Sequence, residues 1–517
     1  MINLQREQMS DSIILDGSSL TLDALLGVAR SKLTVKLDQS TLEKLSRMRQ
    51  YIEDIAQSDR PFYGINTGFG GMAETKIAGA DINTLQRNLI LSHACGVGEP
   101  LAFEEARVLM LLRANTLAKG HSGVRPIILE NLVALLNSGC APLVPKKGSV
   151  GASGDLAPLA HLAMVLLGEG DALIKGERVR SVDALRHARI EPVVLQAKEG
   201  LSLINGTQAM AAVGGLALID ALKLCDLADM IGACSLDASK GSTTPFDARI
   251  HEARPHSGQI TSARNLLSML EESEIRESHR NCKRVQDPYS LRCMPQVHGA
   301  SRTALDHVRS VIETEINSCT DNPLVFKGST EPYDVLSGGN FHGQMLALSL
   351  DYLAIASAEL ANISERRLEQ MINPALSVDL PAFLTPNPGL NSGFMVMQVT
   401  AAALINENKV LCHPASVDSI PTSANREDHV SMGMTSANKA RDVVENVFVV
   451  LAIELMAACQ ALDMRAPLKP GRRVQKIYQL VRERITFAKQ DRVYQDDMKA
   501  AIDLLKGDEL NAILSGK

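Results

Sequence analysis

The sequence has 517 residues, of which 45% are hydrophobic and 22% are charged, and its formal net charge is −6. This balance gives no electrostatic reason to expect nucleic acid or an anionic membrane as a partner. Aromatic residues make up only 3% of the chain and tryptophan does not occur. The core must therefore be aliphatic and rich in alanine, which suits close packing of helices better than a β-sandwich.

Cysteine usage and hydropathy predict a cytoplasmic protein. The nine cysteines are scattered and form no CxxC pair, which is typical of free thiols in a reducing compartment. The segment Met1–Asp11 is polar and lacks the apolar region of a signal peptide. The most apolar long stretch, Val447–Met464, is interrupted by Glu454, Gln460 and Asp463, so it predicts a buried core helix rather than a membrane span.

Local patterns predict a small mixed region followed by helices. Short β-branched runs at residues 12–15 and 33–35 predict a hairpin with a helix between its two parts. Further along, Pro126 and Gly139 bracket an apolar stretch. Proline favours the start of a helix and glycine its end, so this stretch is predicted to be a helix.

Beyond residue 200 the apolar periodicities become long. Residues 305–316, 346–360 and 438–462 each place aliphatic side chains on one helical face. Several helices of this length predict a mainly α fold with a long antiparallel central helix bundle. We expect two domains, a smaller mixed N-terminal one over residues 1–205 and the helical bundle over residues 206–517.

Glycine and proline punctuate residues 142–154, so this stretch is predicted to be a loop, with a helix resuming after Asp155. Ser153 does not lie in a nucleophile elbow, because the G-x-S-x-G pattern needs glycine where Asp155 stands. No Gly-Lys-Ser/Thr sequence follows, which excludes a Walker loop, and His251 and His256 lack the spacing of a zincin motif. By residue type alone, a flexible connector is the commonest interpretation of such a loop.

The same loop has a second, chemical interpretation. In Ala152-Ser153-Gly154 the amide nitrogen of Gly154 can attack the carbonyl carbon of Ala152, and loss of water then closes a five-membered imidazolone. Loss of water from Ser153 leaves an exocyclic methylidene. Small residues are needed because larger side chains would block so close an approach of the backbone. The product is an electrophile that ordinary side chains do not supply, so the loop would act as a built-in cofactor.

Motifs along nearly the whole chain resemble those of the histidine, phenylalanine and tyrosine ammonia-lyase family. The segment GSVGASGDLAPLAH at residues 148–161 is similar to the family signature. Further matches occur in the family's order, at residues 63–70, 115–126, 203–207, 286–292, 338–342 and 364–367. The resemblance implies elimination of ammonia from an amino acid, with a methylidene-imidazolone formed autocatalytically from Ala152-Ser153-Gly154 and no external cofactor or metal.

The resemblance also implies roles for individual residues. It makes Tyr63 the base that takes the β-proton, although a tyrosine of pKa ~10 needs a neighbouring cation or hydrogen-bond donors to ionise. Arg292 is similar to the residue that clamps the substrate carboxylate through two parallel donors. The other positions surround the electrophile or the substrate: Tyr289 and Asn205 as catalytic residues, Gln286 and Phe341 as binding residues. Tyr289 would share a face with Arg292 if that segment is helical.

Two positions favour histidine as the substrate. Ser92-His93 resembles the pair that faces the substrate side chain, and Leu85, Leu89 and His93 would form one helical stripe. Glu427 matches a carboxylate found in the histidine-specific members. A carboxylate can accept a hydrogen bond from an imidazole N–H, whereas facing a phenyl ring it would be buried without a partner. The implied reaction is the conversion of L-histidine to trans-urocanate, the first step of histidine degradation.

Other interpretations remain open. A tyrosine or phenylalanine ammonia-lyase, or an aminomutase, belongs to the same family, and a non-catalytic helical scaffold is an alternative of another class. Arg426 departs from the family pattern, and Met294 and His298 vary the segment after Gln286, beside expected pocket positions. A fumarase-type lyase is disfavoured because its mobile serine-loop pattern is not found. The resemblance implies a homotetramer with each site built from three subunits, and long apolar stripes make such an assembly plausible.

Overall fold

Helices dominate the computed structural model, which describes residues 11–328 and 333–514. The chain divides into two compact units. The first contains the described residues up to Ala217 together with Arg309–Asp351 and Pro414–Asn438, and the second contains Leu218–Val308, Tyr352–His413 and the residues after Asn438. The mainly α class predicted from the periodicities is confirmed.

The unit limits differ from the predicted domain limits. The predicted boundary after residue 205 lies inside the first unit, because later segments of the chain return to that unit. The helix Gln208–Ala238 begins just after the predicted boundary and crosses the unit limit after Ala217. The division into domains at residues 1–205 and 206–517 stays a prediction.

Eight helices lie wholly in the first unit: Leu22–Ala29, Gln39–Ala56, Ile82–His93, Phe103–Ala118, Pro126–Asn137, Leu156–Leu166, Ser181–Ala188 and Glu199–Ile204. Their ends follow local capping chemistry. The side chain of Asp38 accepts a hydrogen bond from the N–H of Thr41 at 2.8 Å, which satisfies an otherwise unpaired donor of the first turn. As predicted, Pro126 starts one helix, and Gly139 follows its end with a left-handed φ of +79°.

The second unit is also helical. Its own helices are Ala248–Glu252, Ser257–Met269, Glu274–Ser278, Tyr289–Arg292, Met395–Leu411, Arg472–Arg484, Tyr494–Lys506 and Glu509–Leu514. Four long helices begin in one unit and end in the other: Gln208–Ala238, Met294–Glu315, Gln344–Ile372 and Gly433–Asp463. The last three contain the long apolar segments that the sequence predicted to be helical, except that the segment 305–316 extends one residue beyond Glu315.

All described strands are short and lie in the first unit. They are Ser12–Leu15 with Thr34–Leu37, Val97–Pro100 with Pro145–Lys147, the three-stranded set Cys140–Pro142, Asp171–Ile174 and Glu177–Arg180, and Leu324–Lys327 with Tyr333–Leu336. The predicted hairpin near the start of the chain is wrong, because its two strands pair in parallel. A helix between two strands provides the crossover that a parallel pair needs, whereas a hairpin needs only a tight turn.

The core of the second unit includes the part of Gly433–Asp463 that the sequence predicted to be a buried helix. Its polar residues are all paired. Glu454 accepts two hydrogen bonds from Arg367, at 2.5 and 2.8 Å. The Gln460 amide nitrogen donates to two backbone carbonyls, and Asp463 accepts hydrogen bonds from the side chain of Arg482. Buried polar groups are tolerated when they are hydrogen-bonded, so this prediction is confirmed.

The structure bears on three features of the composition: the apolar helices, the possible metal ligands and the cysteines. One helix, Gln344–Ile372, is long and apolar enough to cross a membrane by length and composition alone, and 72% of its apolar window is buried inside the protein. Within residues 11–328 and 333–514, no group of three or more histidine, cysteine or acidic side chains is placed to hold a metal ion. All nine cysteines are free thiols. The polar segment Met1–Asp11 lies outside the described residues except for Asp11.

Candidate active site

The loop at Ser153 is a tight turn whose two ends press against neighbouring segments. Gly151 and Gly154 have left-handed φ angles of +67° and +71°. A Cβ atom on Gly154 would lie 2.1 Å from the carbonyl oxygen of Gly206, and one on Gly151 would lie 2.2 Å from the Oγ of Ser431. Any side chain at either position would clash, so glycine is required at both ends of the turn.

Asp155 fixes the loop to the start of the helix Gln208–Ala238. One of its carboxylate oxygens accepts hydrogen bonds from the N–H groups of Ala209 and Met210, at 2.8 and 2.9 Å. The other accepts a hydrogen bond from the hydroxyl of Ser149 at 2.9 Å. Burial raises the pKa of Asp155 to about 6, although the hydrogen bonds from Met210, Ser149 and Ala209 act in the opposite direction. The positive end of the helix dipole also favours this carboxylate.

The buried Asp155 carboxyl gives a testable pH dependence. The folded protein keeps its proton up to about pH 6, whereas the unfolded chain releases it near the ordinary carboxyl pKa of 3.8. Protonation therefore favours folding, and this contribution is lost as pH rises from about 4 to about 6. We expect Asp155→Asn to remove this part of the dependence, about 3 kcal/mol in size. Apparent melting temperatures measured between pH 4 and 7 test this.

The exposed carboxyl of Asp183, which pairs with Arg186, provides the control. Asp183→Asn should follow the wild-type profile, because exposed ion pairs contribute little to stability. Parallel wild-type and Asp155→Asn profiles over this range would contradict the assignment of the pH dependence to Asp155.

Glu427 contacts the loop, although it lies 274 positions after Ser153 in the sequence. The hydroxyl of Ser153 donates a hydrogen bond to Glu427 Oε1 at 2.5 Å, and the preceding residue, Ala152, is buried. The second carboxylate oxygen, Oε2, accepts a hydrogen bond from the hydroxyl of Thr422 at 2.6 Å. Between Thr422 and Glu427 the residues Ser423–Asn425 all have left-handed φ angles, from 49° to 66°. This strained turn holds the carboxylate against the loop.

His93 lies at the end of the helix Ile82–His93, on the predicted stripe with Leu89, and is half-buried. The hydroxyl of Ser92 lies 3.0 Å from its Nδ1. Burial lowers the pKa of His93, while the negative charge of Glu427 raises it. A neutral imidazole near a carboxylate can recognise a polar ring through hydrogen bonds.

Tyr63 lies in a turn fixed by Asn66, whose side-chain oxygen accepts the N–H of Phe62 at 2.7 Å. Burial raises the pKa of Tyr63; the negative charges of Glu427 and Asp321 raise it further, whereas a backbone hydrogen bond from Gly70 lowers it. The charges that perturb Tyr63 within this unit are thus carboxylates, which oppose formation of the phenolate.

Asn205 and Phe341 lie in segments that pack on the loop. The Asn205 amide nitrogen donates to the carbonyl oxygen of Asn322 at 3.0 Å, and its Oδ1 is buried without a hydrogen-bond partner. Two residues after Phe341, the N–H of Gly343 donates to the carbonyl oxygen of Gly151 at 3.3 Å. The first unit therefore contains all the predicted residues of the loop, the base and the side-chain pocket.

The remaining three predicted residues lie in the second unit. Tyr289 and Arg292 belong to one helical turn, and the guanidinium carbon of Arg292 lies 4.5 Å from the centre of the Tyr289 ring, as expected for residues sharing a helical face. Gln286 and Tyr289 are exposed, whereas the Nε of Arg292 is buried without a hydrogen-bond partner. The roles of these three residues stay predictions.

Of the three residues that depart from the family pattern, Met294 and His298 are not exposed. Both are completely buried in the core of the second unit. The expectation that they lie beside pocket positions stays a prediction. His298 Nδ1 lies 2.8 Å from Asp229, and its Nε2 lies 3.3 Å from a guanidinium nitrogen of Arg367. Its position is set by helix packing, which a sequence pattern does not reveal. Arg426 is exposed.

Sequence reasoning missed three residues that hold the site together. Thr422 binds Glu427, and Ser149 binds Asp155. Arg113 is completely buried and donates to the carbonyl oxygen of Asn205 at 2.9 Å. Ser149 lies in the predicted loop and Arg113 lies two residues before the motif at residues 115–126, but no local pattern identifies their partners.

Comparisons with known proteins extend over nearly the whole chain. The family model for aromatic amino acid lyase matches residues 20–483. A histidine ammonia-lyase of Anaeromyxobacter sp. (strain K) is 55% identical over 504 residues, covering 96% of this chain and 98% of that protein. The crystal structure of histidine ammonia-lyase from Trypanosoma cruzi has a TM-score of 0.90 at 44% identity, covering 98% of this chain and 95% of that one. That of tyrosine aminomutase from Streptomyces globisporus has a TM-score of 0.91 at 39% identity, covering 98% of both.

Proposed function

The chain belongs to the aromatic amino acid lyase family, and we propose that it is a histidine ammonia-lyase, which eliminates ammonia from L-histidine to give trans-urocanate. The observation that carries the choice of substrate is the hydrogen bond between Ser153 and Glu427. It places a carboxylate at the reactive loop, where an imidazole N–H can satisfy it. A phenyl ring at the same place would cost the free energy of an unsatisfied charge.

Residues 152–154 fit the proposed prosthetic group. Glycine is required on both sides of Ala152-Ser153, and the turn is compressed between Gly206 and Ser431. The methylidene-imidazolone would supply an electrophile for the substrate amine, and no external cofactor is proposed. Asn205 would lie beside this group, because the next residue, Gly206, packs against Gly154.

Binding and proton transfer would be divided among the chain's own side chains. Glu427 and His93 would recognise the imidazole ring, and Phe341 would line the pocket. Tyr63 would remove the β-proton through its phenol oxygen. Arg292 would hold the substrate carboxylate through two parallel hydrogen bonds, with Gln286 and Tyr289 beside it.

The electrostatics of Tyr63 support a site completed by other subunits. A base must lose its proton at the working pH, yet burial and the charges of Glu427 and Asp321 raise the pKa of Tyr63. A cation such as Arg292 supplied by a neighbouring copy would reverse this effect. We propose a homotetramer in which each site takes loops from three subunits. We also propose a cytoplasmic location, with no nucleic-acid or membrane partner.

A substrate panel tests the proposal. Purified protein is incubated with L-histidine, L-phenylalanine or L-tyrosine, and the ultraviolet absorption of the unsaturated acid is followed. We expect L-histidine to give the highest kcat/KM. A preference for L-tyrosine would contradict the proposal, and formation of a β-amino acid would identify an aminomutase instead.

A further inference from the structure

The two oxygens of the Glu427 carboxylate have different hydrogen-bond partners. Oε1 accepts from the Ser153 hydroxyl at 2.5 Å, and Oε2 accepts from the Thr422 hydroxyl at 2.6 Å. Both partners are hydroxyl groups, and together their hydrogen bonds fix the orientation of the carboxylate. The side of the carboxylate that faces the loop is therefore defined by Thr422 and Ser153 together.

We propose that Thr422 is a positioning residue that sets the preference for an imidazole side chain, by holding Glu427 Oε2 so that Oε1 faces the substrate ring. This inference rests on the proposed function. Dehydration of Ser153 would remove the hydroxyl that donates to Oε1, whereas the donor from Thr422 would remain. Oε1 then becomes the free acceptor for an imidazole N–H.

The backbone supports this arrangement. Thr422 and Glu427 exchange two backbone hydrogen bonds, N–H to O at 2.9 Å and 3.4 Å in the two directions. These bonds close the turn that contains the left-handed residues Ser423–Asn425. Since the backbone contacts do not involve the hydroxyl of Thr422, the turn and the hydroxyl can be separated by mutation.

A second hydroxyl in the same segment provides the matched control. Ser419 Oγ accepts a hydrogen bond from the N–H of Val430 at 3.0 Å, which closes the segment around the turn. Ser419→Ala removes a hydroxyl that binds a backbone N–H of the same segment and does not contact Glu427. Thr422→Val keeps the branched shape but removes the hydroxyl on the carboxylate, and Thr422→Ser keeps the hydroxyl.

The test measures kcat and KM for L-histidine, together with inhibition by 3-(imidazol-4-yl)propionate and by 3-phenylpropionate. For Thr422→Val we expect kcat/KM to fall about tenfold and inhibition by the imidazole compound to weaken similarly, the size expected for a hydrogen bond to a charged group. Inhibition by the phenyl compound should stay within about twofold, because that ring makes no hydrogen bond to Glu427. Thr422→Ser should restore the wild-type values, and Ser419→Ala should retain them.

Three results would overturn the inference: wild-type values for Thr422→Val, equal weakening of both inhibitors, or equal losses in Ser419→Ala and Thr422→Val. If Thr422→Val is insoluble, Thr422→Ala carries the same prediction. Intact mass shows whether each variant forms the modified loop. Failure of the wild-type protein to convert L-histidine would instead refute the proposed function. That outcome is therefore distinguishable from failure of the inference about Thr422.

Discussion

Ser153→Ala is expected to abolish the conversion of L-histidine, lowering kcat on the order of a thousandfold or more, because the covalent chemistry depends on one group. Alanine has no hydroxyl to lose, so the methylidene cannot form. The turn should still fold, since Gly151 and Gly154 keep their close contacts. Urocanate absorption measures the loss of activity, and intact mass should no longer show the loss of two water molecules.

A second serine provides the control for this substitution. Ser46 lies on the helix Gln39–Ala56 and donates only to the carbonyl oxygen of Leu42 in the preceding turn. Ser46→Ala should retain activity and the mass of the modified chain. Substantial activity in Ser153→Ala would show that Ser153 does not supply the electrophile.

Glu427→Gln is expected to lower kcat/KM for L-histidine about a hundredfold, comparable to the loss of one well-placed polar group in an active site. Glutamine keeps the size of the side chain but removes the negative charge that favours an imidazole ring. The loss should be smaller for an aromatic substrate, because a neutral amide is less costly to bury beside an apolar ring than a carboxylate. Comparing rates with L-histidine and L-phenylalanine measures this change in preference.

The matched control is Glu74→Gln. Glu74 is exposed, and its carboxylate lies 3.6 Å from the guanidinium of Arg426, which precedes Glu427. Removing this exposed pair should leave kcat/KM within about twofold. If Glu427→Gln and Glu74→Gln behaved alike, Glu427 would be a surface charge without a part in substrate choice.

Much of the fold could be predicted because it is encoded locally. The 3.6-residue periodicity identified the three long helices, and Pro126 and Gly139 identified a helix start and end. The pairing of residues 12–15 with residues 34–37 was predicted in the wrong direction, although the helix predicted between them is the crossover that a parallel pair needs. The first unit also contains Arg309–Asp351 and Pro414–Asn438, and this return of the chain depends on tertiary contacts.

Some features of the candidate site could likewise be predicted from the sequence, whereas others could not. Steric rules required small residues around Ser153, and the close contacts of Gly151 and Gly154 agree with this requirement. The chemistry of imidazole favoured a carboxylate at Glu427, which lies at hydrogen-bond distance from Ser153. The contribution of Thr422 could not be predicted, because the orientation of a hydroxyl depends on a turn whose strained backbone has no simple sequence signature.

The pKa of Tyr63 shows a further limit of sequence reasoning. A pattern can identify a candidate base but not the charges around it, and the structure adds the two carboxylates of Glu427 and Asp321. Their effect on the phenol is opposite to the one that a base requires. The proposed contribution of other subunits rests on this electrostatic mismatch and on the family resemblance.

Tandem mass spectrometry of the peptide that contains residues 148–161 shows whether Ala152-Ser153-Gly154 condense into an amine-accepting ring. The protein used must be the same preparation that converts L-histidine. We expect a mass lower than that of the encoded peptide by two water molecules, with both losses confined to Ala152-Ser153-Gly154. An unmodified peptide from fully active protein would contradict it.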